Sequence, residues 1–551
     1  MKLGQCLNLM AKSKIVNFQN LLLLGILVLA LFLRLWGLEG LGLPRIGYVD
    51  DEPAIADSAL EMLRQDSLVP HWEIGDLPVY VQAWTGKLIF AAHRINPAEI
   101  PTYRETISAQ KISASVIGVP YSLPEFYFWG RVSIAVMGGF SVVIVYFIGK
   151  AIKSNTIGLI SAFFLAVTSL HVEYSHYLMR TIPGTFFLLL AFYLILLAYL
   201  KQKWWLYLLS FVLVYLAVYT KQNNLILLAP LGLALAMNIW GAFQHHSILK
   251  MAKYSLIIFC ITAIIFILSW YFLQINVFIY AQSIFNRIFY NSYYYEGYHF
   301  GFSGENTPWW LIEQVFLAPS ANWRLVALLA IPGIILAIQL KGKGWLLLSV
   351  LLPYSAIIGL FTVRFLHWLM PIVPIIALLA ALSLEWAYEK IGQNTTINKY
   401  YLKAIFLLVI ILIPGASIRT VMVLNYYGGQ PDVRNTASEW MQANLPAGSR
   451  VVIDSWGPYL DAAYHDVIYV YYVGDKDLQA YRDENVNYIV INSINLSRII
   501  SASSDPRAAE TIKVRASRIQ QLMQELPLEH KFTGPALYNP PIVDVLIYKL
   551  Q

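Results

Sequence analysis

The residues best suited to chemistry lie in one short run, Gly47-Tyr-Val-Asp50-Asp51-Glu52-Pro53. Three adjacent carboxylates stand out in a chain in which 13% of residues are charged. A carboxylate can take the proton from an attacking hydroxyl or amine. Cations follow at Arg180, Lys221 and Arg364, with His176 and His367 close by in sequence and further carboxylates at Asp76 and Glu173. Cations stabilise the charge that develops on a departing phosphate. A base and a phosphate clamp together suit transfer of a sugar from a lipid phosphate to an acceptor.

Those residues are far apart in sequence, so a membrane must gather them. The 551 residues are 58% hydrophobic and 14% aromatic. Soluble domains carry about 25% charged residues, so this composition marks an integral membrane protein with several spans. The net charge of +7 comes from lysines in short loops between apolar runs. It reports orientation rather than nucleic-acid binding. Cys6 and Cys260 form neither a plausible disulfide nor a zinc pattern. Lys2, Lys12 and Lys14 precede the first span, Phe18 to Trp36. They place the N-terminus in the cytoplasm, and no cleavage site follows. The acidic run then lies on the outer side.

Pro53 opens a short amphipathic helix from Ala54 to Arg64, with Glu52 as its cap. A second, from Val79 to His93, also reads as interfacial. Spans are expected at Trp129–Ile148, Thr156–Leu170, Pro183–Leu200, Trp204–Tyr219, Leu225–Trp240 and Tyr254–Phe272. Four more are expected at Trp323–Leu340, Trp345–Phe361, Trp368–Tyr388 and Leu402–Leu424. The fold class is thus a polytopic α-helical membrane protein of about 11 transmembrane helices. Residues 1–424 form the membrane domain, with outer loops at 39–127 and 274–322. Residues 425–551 read as a soluble α/β domain on the periplasmic side. Its strands are Val451–Asp454, Val467–Val470, Tyr488–Ile491 and Val543–Tyr548. Its helices are Ala437–Ala443, Asp477–Glu484 and Ala516–Leu526.

This topology puts Asp50, Asp51, Glu52, Asp76, Glu173, His176, Arg180, Lys221, Arg364 and His367 on one face of the membrane. Each also has a structural role open to it. The carboxylates before Pro53 could cap a helix and complement its dipole. Lys221 could snorkel, the histidines could be interfacial hydrogen-bonders, and Asp76 a turn residue. The aromatic stretch 291–310 could be an interface belt or a sugar platform.

Several motifs, in order, resemble the GT-C fold glycosyltransferases. They are Asp51-Glu-Pro53 after the first span, Leu63-Arg-Gln-Asp66, Val69-Pro-His71, Gly130-Arg131 and Thr220-Lys221. The late motifs are Arg364-Phe-Leu-His-Trp-Leu-Met-Pro371, Ala437-Ser-Glu-Trp440 and Asn444-Leu-Pro-Ala-Gly448. The nearest branch is glycosyltransferase family 39, which holds protein O-mannosyltransferases, aminoarabinose transferases and bacterial relatives. The resemblance implies Asp51 as catalytic base with Glu52 as its companion, and Lys221 and Arg364 on the carrier phosphate. It implies a substrate role for Asp76, a polyprenyl-phosphate donor, and a lipid, glycan or protein acceptor. The location it implies is the bacterial inner membrane. A divalent metal is compatible with Asp51 and Glu52 but is not indicated by any motif. The chain departs from the family at Arg180-Thr-Ile-Pro183, where members carry an aspartate. Glu173 or His176 could take that place. A transporter or flippase, or an inactive sensor with a periplasmic domain, are the rival classes. Ionisable groups at span ends rather than mid-span, and the absence of repeated halves, argue against transport.

Overall fold

The computed structural model describes residues 2–39, 45–46, 51–66, 77–109, 119–244, 323–360, 366–503, 510–534 and 544–551, with isolated positions between 252 and 315. Asp50, Asp76, Arg364 and nearly all of the expected loop 274–322 and span Tyr254–Phe272 lie outside the described residues, and for Asp51 only the backbone is described.

Helix α1 spans Lys2–Leu35, α2 Asp51–Gln65, α3 Leu77–His93, α4 Tyr103–Ala109 and α5 Pro124–Ile152. They are followed by α6 Asn155–Ala166, α7 Ser169–Tyr174, α8 Thr181–Lys201, α9 Trp204–Thr220 and α10 Leu228–Gln244. Beyond residue 322 come α11 Arg324–Gln339, α12 Gly342–Leu360, α13 Val373–Asn394, α14 Lys399–Leu412 and α15 Gly415–Gly428. Five described helices are long and apolar enough to cross a membrane: Phe18–Leu35, Pro124–Ile152, Thr181–Lys201, Gln222–Gln244 and Gly342–Gly359. The bent pair that begins with α14 would make six. Three shorter apolar helices, α6, α9 and α11, accompany them.

The sequence reads Leu402–Leu424 as one span, but the chain bends there by 44°. Pro414 stands at the bend, as the N-cap of α15. Its missing N–H and its ring both oppose a continuous helix. Elsewhere the helices meet through small residues, as expected where lipid supplies no hydrophobic drive. A Cβ on Gly333 of α11 would lie 2.1 Å from the Leu379 carbonyl oxygen of α13. Across that contact the Ser383 hydroxyl donates to the Leu329 carbonyl, at 2.6 Å.

Outside the bundle, α4 is pinned onto α2. Thr102 and Glu105 form a reciprocal capping box, with Glu105 N–H to Thr102 Oγ1 at 3.0 Å and Thr102 N–H to Glu105 Oε2 at 2.7 Å. Arg64 grips Glu105 with two bonds of 2.9 Å and also reaches the Ile100 carbonyl. Asp57 accepts the N–H groups of Tyr103 (2.6 Å) and Arg104 (3.1 Å).

The last third carries a five-stranded sheet. Its strands are β3 Arg450–Asp454, β4 Asp466–Val470, β5 Tyr488–Asn492, β6 Leu528–Phe532 and β7 Val545–Lys549, in spatial order β4-β3-β5-β7-β6. A two-residue bridge, β1 Arg45–Ile46 with β2 Val119–Pro120, precedes it in the chain. Strand β3 runs parallel to β4 and β5, and β7 antiparallel to β5 and β6. Successive β3 residues face opposite cores. Val452 packs with Ile519 and Leu522, whereas Val451 and Ile453 pack with Ala437 and Met441. Helices therefore cover both faces: α16 Val433–Asn444 on one, α17 Glu510–Glu525 on the other. The turn after β3 meets the membrane helices, because Trp456 and Tyr459 pack against their core.

Candidate active site

The acidic run begins α2, with Asp51 as the first helical residue rather than Pro53. Proline is tolerated in a first turn because its missing N–H would be unpaired there anyway. Glu52 turns inward. It is 0% exposed, as is Arg131 of α5. Arg131 Nε donates to Glu52 Oε1 at 2.9 Å and its Nη2 donates to Oε2 at 2.7 Å. The Leu178 N–H also donates to Oε1, at 2.8 Å. Glu52 thus binds α2 to α5 and to the segment between α7 and α8. Next to it, a Cβ on Gly130 would meet Gln82 Oε1 at 2.2 Å. Glycine there lets α3 lie against α5, with Gln82 Nε2 on the Phe126 carbonyl at 2.7 Å.

A second buried cation fixes the other end of that segment. Arg34 of α1 donates to the Ala30, Ala166 and Leu165 carbonyls at 2.9, 3.0 and 3.1 Å. Two of these belong to the carboxyl end of α6, where a cation complements the helix dipole. Arg34 also donates to His171 Nδ1 at 2.9 Å. A guanidinium has no acceptor, so Nδ1 is unprotonated, and burial beside Arg34 holds His171 well below its ordinary pKa. Gly138 of α5 makes room for this junction, since a Cβ there would lie 2.4 Å from Ser175 Oγ and 3.2 Å from Arg34 Cδ.

The segment so held carries three of the expected site residues. Glu173 is buried, and its Oε1 meets no hydrogen-bond donor among the described residues. Burial lifts its carboxyl well above the usual range. His176 lies between two acceptors, with Nδ1 2.8 Å from the Val172 carbonyl and Nε2 3.0 Å from the Trp36 carbonyl. Burial lowers its pKa to about 4. A neutral imidazole has one N–H, so only one of the two contacts is a hydrogen bond. Arg180 is half-buried and stands at the N-cap of α8.

Lys221 follows α9 in extended conformation and reaches the amino end of α8, where its Nζ donates to Thr181 Oγ1 at 3.0 Å. Gly184 permits the approach, because a Cβ there would lie 2.9 Å from Lys221 Cβ. Asn224 secures the turn, with Nδ2 on the carbonyls of Gly184 (2.9 Å) and Ala217 (2.8 Å). His367 sits in the short turn Leu366–Leu369, its ring 5.4 Å from that of Tyr174. Burial and the charge of Lys221 hold His367 well below its ordinary pKa. That turn is fixed by Tyr354, whose hydroxyl donates to the Trp368 carbonyl at 2.6 Å and accepts from Asn223 Nδ2 at 3.3 Å.

Lys221, Thr181, His367 and Tyr174 thus form one group, with Glu173 in the same helix as Tyr174. Arg34 and His171 were not among the expected site residues. A charge at the end of an apolar span was the signal that could have found Arg34. Among the described residues, no three His, Cys, Asp or Glu side chains gather as metal ligands.

Residues 126–270 match the family described as dolichyl-phosphate-mannose-protein mannosyltransferase. No curated protein sequence matches. Among solved structures, the chain is similar to the archaeal oligosaccharyltransferase AglB from Archaeoglobus fulgidus, solved in complex with an inhibitory peptide and a dolichol-phosphate. The two share 13% identity and a TM-score of 0.52, over 93% of this chain and 79% of that one. ArnT from Cupriavidus metallidurans, solved with undecaprenyl phosphate, gives 11% identity and a TM-score of 0.45, over 96% and 97%. The fold is that of the GT-C membrane glycosyltransferases, as the sequence motifs implied, and the enzyme class expected from them stands.

Proposed function

We propose that this GT-C chain transfers a sugar from a polyprenyl-phosphate carrier to an acceptor on the periplasmic side of the bacterial inner membrane. The observation that carries the reading is Lys221 seated at the amino end of α8, inside the stretch that matches the mannosyltransferase family. A helix amino end with a lysine beside it is a ready phosphate site. Arg180 adds charge at the same helix end, and Arg364 completes the clamp in this reading.

Asp51 is the base. It removes the proton from the acceptor hydroxyl or amine as that atom attacks the anomeric carbon. The bond from carbon to phosphate oxygen breaks, and the carrier leaves as polyprenyl phosphate with inversion at the sugar. Glu52 positions the site rather than touching substrate, because Arg131 and Leu178 occupy both its oxygens. The carboxyl of Glu173, whose protonated form burial favours, and the ring of His367 line the sugar. They take the place of the aspartate missing from Arg180-Thr-Ile-Pro183. Residues 425–551 act as an acceptor-binding cap, a reading supported by the packing of Trp456 and Tyr459 onto the membrane helices.

The test is Asp51→Asn in membranes supplied with a radiolabelled polyprenyl-phosphate hexose. Loss of a general base lowers transfer by about 10²–10⁴-fold at normal expression. Transfer at the wild-type rate by that variant overturns the mechanism.

A further inference from the structure

Helices α2 and α3 enclose a groove of about 430 Å³. Its lining is largely apolar, with Met62, Leu63, Tyr80, Ala83 and Phe90. Two opposite charges, Asp66 and Lys87, also line it. No ion pair among the described residues uses either of them. Lys87 lies 5.8 Å from the Trp84 ring. Trp84 and Leu88, on the same helix, are 67% and 71% exposed. An exposed tryptophan and leucine beside a lysine mark a helix lying at the boundary of headgroups and acyl chains.

We propose that this groove binds a membrane phospholipid with a phosphoethanolamine headgroup. One acyl chain lies along the apolar lining, the phosphate pairs with Lys87 and the ammonium with Asp66. A chain gains little by leaving one apolar phase for another, so selection among lipids falls to the rim. A headgroup that is only anionic would satisfy Lys87 and repel Asp66. A choline headgroup brings a cation with no N–H to donate to the carboxylate, whereas a primary ammonium has three donors. The inference is independent of the transfer reaction, although α2 carries Asp51 and Glu52 at its other end.

The test uses the full-length protein in nanodiscs containing phosphatidylethanolamine, phosphatidylglycerol and phosphatidylcholine of identical chains in equal amounts. Lipid retained after transfer to detergent is counted by native mass spectrometry. Phosphatidylethanolamine is retained about two- to fivefold over each of the others, the range an exposed ion pair supplies. Asp66→Asn removes that preference; asparagine tolerates the left-handed backbone at this position, where φ is 47°. Lys87→Gln lowers retention of all three lipids. Ala83→Trp fills the groove and does the same. Equal retention of the three lipids, a preference that survives Asp66→Asn, or full retention by both Lys87→Gln and Ala83→Trp overturns the proposal.

Discussion

Replacing Glu52 by glutamine separates holding the site from performing the reaction. The substitution keeps one carbonyl oxygen, enough for the Leu178 N–H. It puts an NH₂ group against a guanidinium that made bonds of 2.9 and 2.7 Å to the carboxylate. Arg131 then remains 0% exposed and loses the charge of Glu52. Removing one partner of such a pair costs about 3–5 kcal/mol. The measurement is thermal unfolding in detergent of wild type, Glu52→Gln, Arg131→Met and the double variant. Unfolding of a protein with several spans is not two-state, so the midpoints are compared as a set. The double variant should regain most of the loss, because it buries no charge at all, giving a coupling of about 2 kcal/mol or more between the two sites. Transfer activity decides the rest. A clamp predicts that Glu52→Gln loses stability and transfer together. If the variant melts with wild type and loses transfer, Glu52 acts in the chemistry and the positioning role is refuted. If it keeps both, the buried pair is not what holds α2 to α5.

Two further outcomes follow from groups beside the site. Burial pushes Asp57 up to about 6 from 3.8, against the pull of the Tyr103 and Arg104 N–H groups. A carboxyl raised in the folded state favours the fold when protonated, so its contribution is complete below about 3.8 and is lost as pH rises through 6. Asp57→Asn should therefore match wild type near pH 3.5 and slow amide exchange of Tyr103–Ala109 above pH 7; faster exchange there would contradict the burial argument. Lys221→Gln should raise KM for the lipid donor by about tenfold to a hundredfold, the worth of a charge-assisted hydrogen bond. A change in kcat alone would remove Lys221 from the carrier phosphate.

How much of this was legible in the sequence depended on where each element is buried. Strands β3, β5 and β7 are covered by helices on both faces, so they read as unbroken apolar runs. Strand β6, Leu528-Glu-His-Lys-Phe532, is a largely exposed edge and carries no such run. It was missed for that reason. The break at Pro414 was hidden because hydropathy averages over a bend that one missing N–H produces. In the site, the resemblance implies Asp51 as base and Glu52 as its companion, but the sequence does not show which of the two turns inward. Adjacent helical residues point about 100° apart, and which one faces inward depends on Arg131, 79 positions further on.

That division bears on the charge at the site. With Glu52 neutralised by Arg131, and Arg34 turned to the carbonyls of α6 and to His171, neither buried cation is directed at substrate. Lys221 stands at the amino end of α8, and Arg180 occupies the N-cap position of the same helix. His367, which feels the charge of Lys221, is kept neutral, as are His171 and His176 beside Arg34, and burial favours the protonated form of Glu173. Among the described residues, these groups therefore add no imidazolium beside Lys221. An anion arriving at the amino end of α8 meets positive charge and hydrogen-bonding groups, which favours a phosphate over an amine or a metal cation there. A lone reversal, Lys221→Glu, should consequently abolish donor binding, whereas Lys221→Arg should retain it. Retained donor binding by Lys221→Glu would place the phosphate elsewhere.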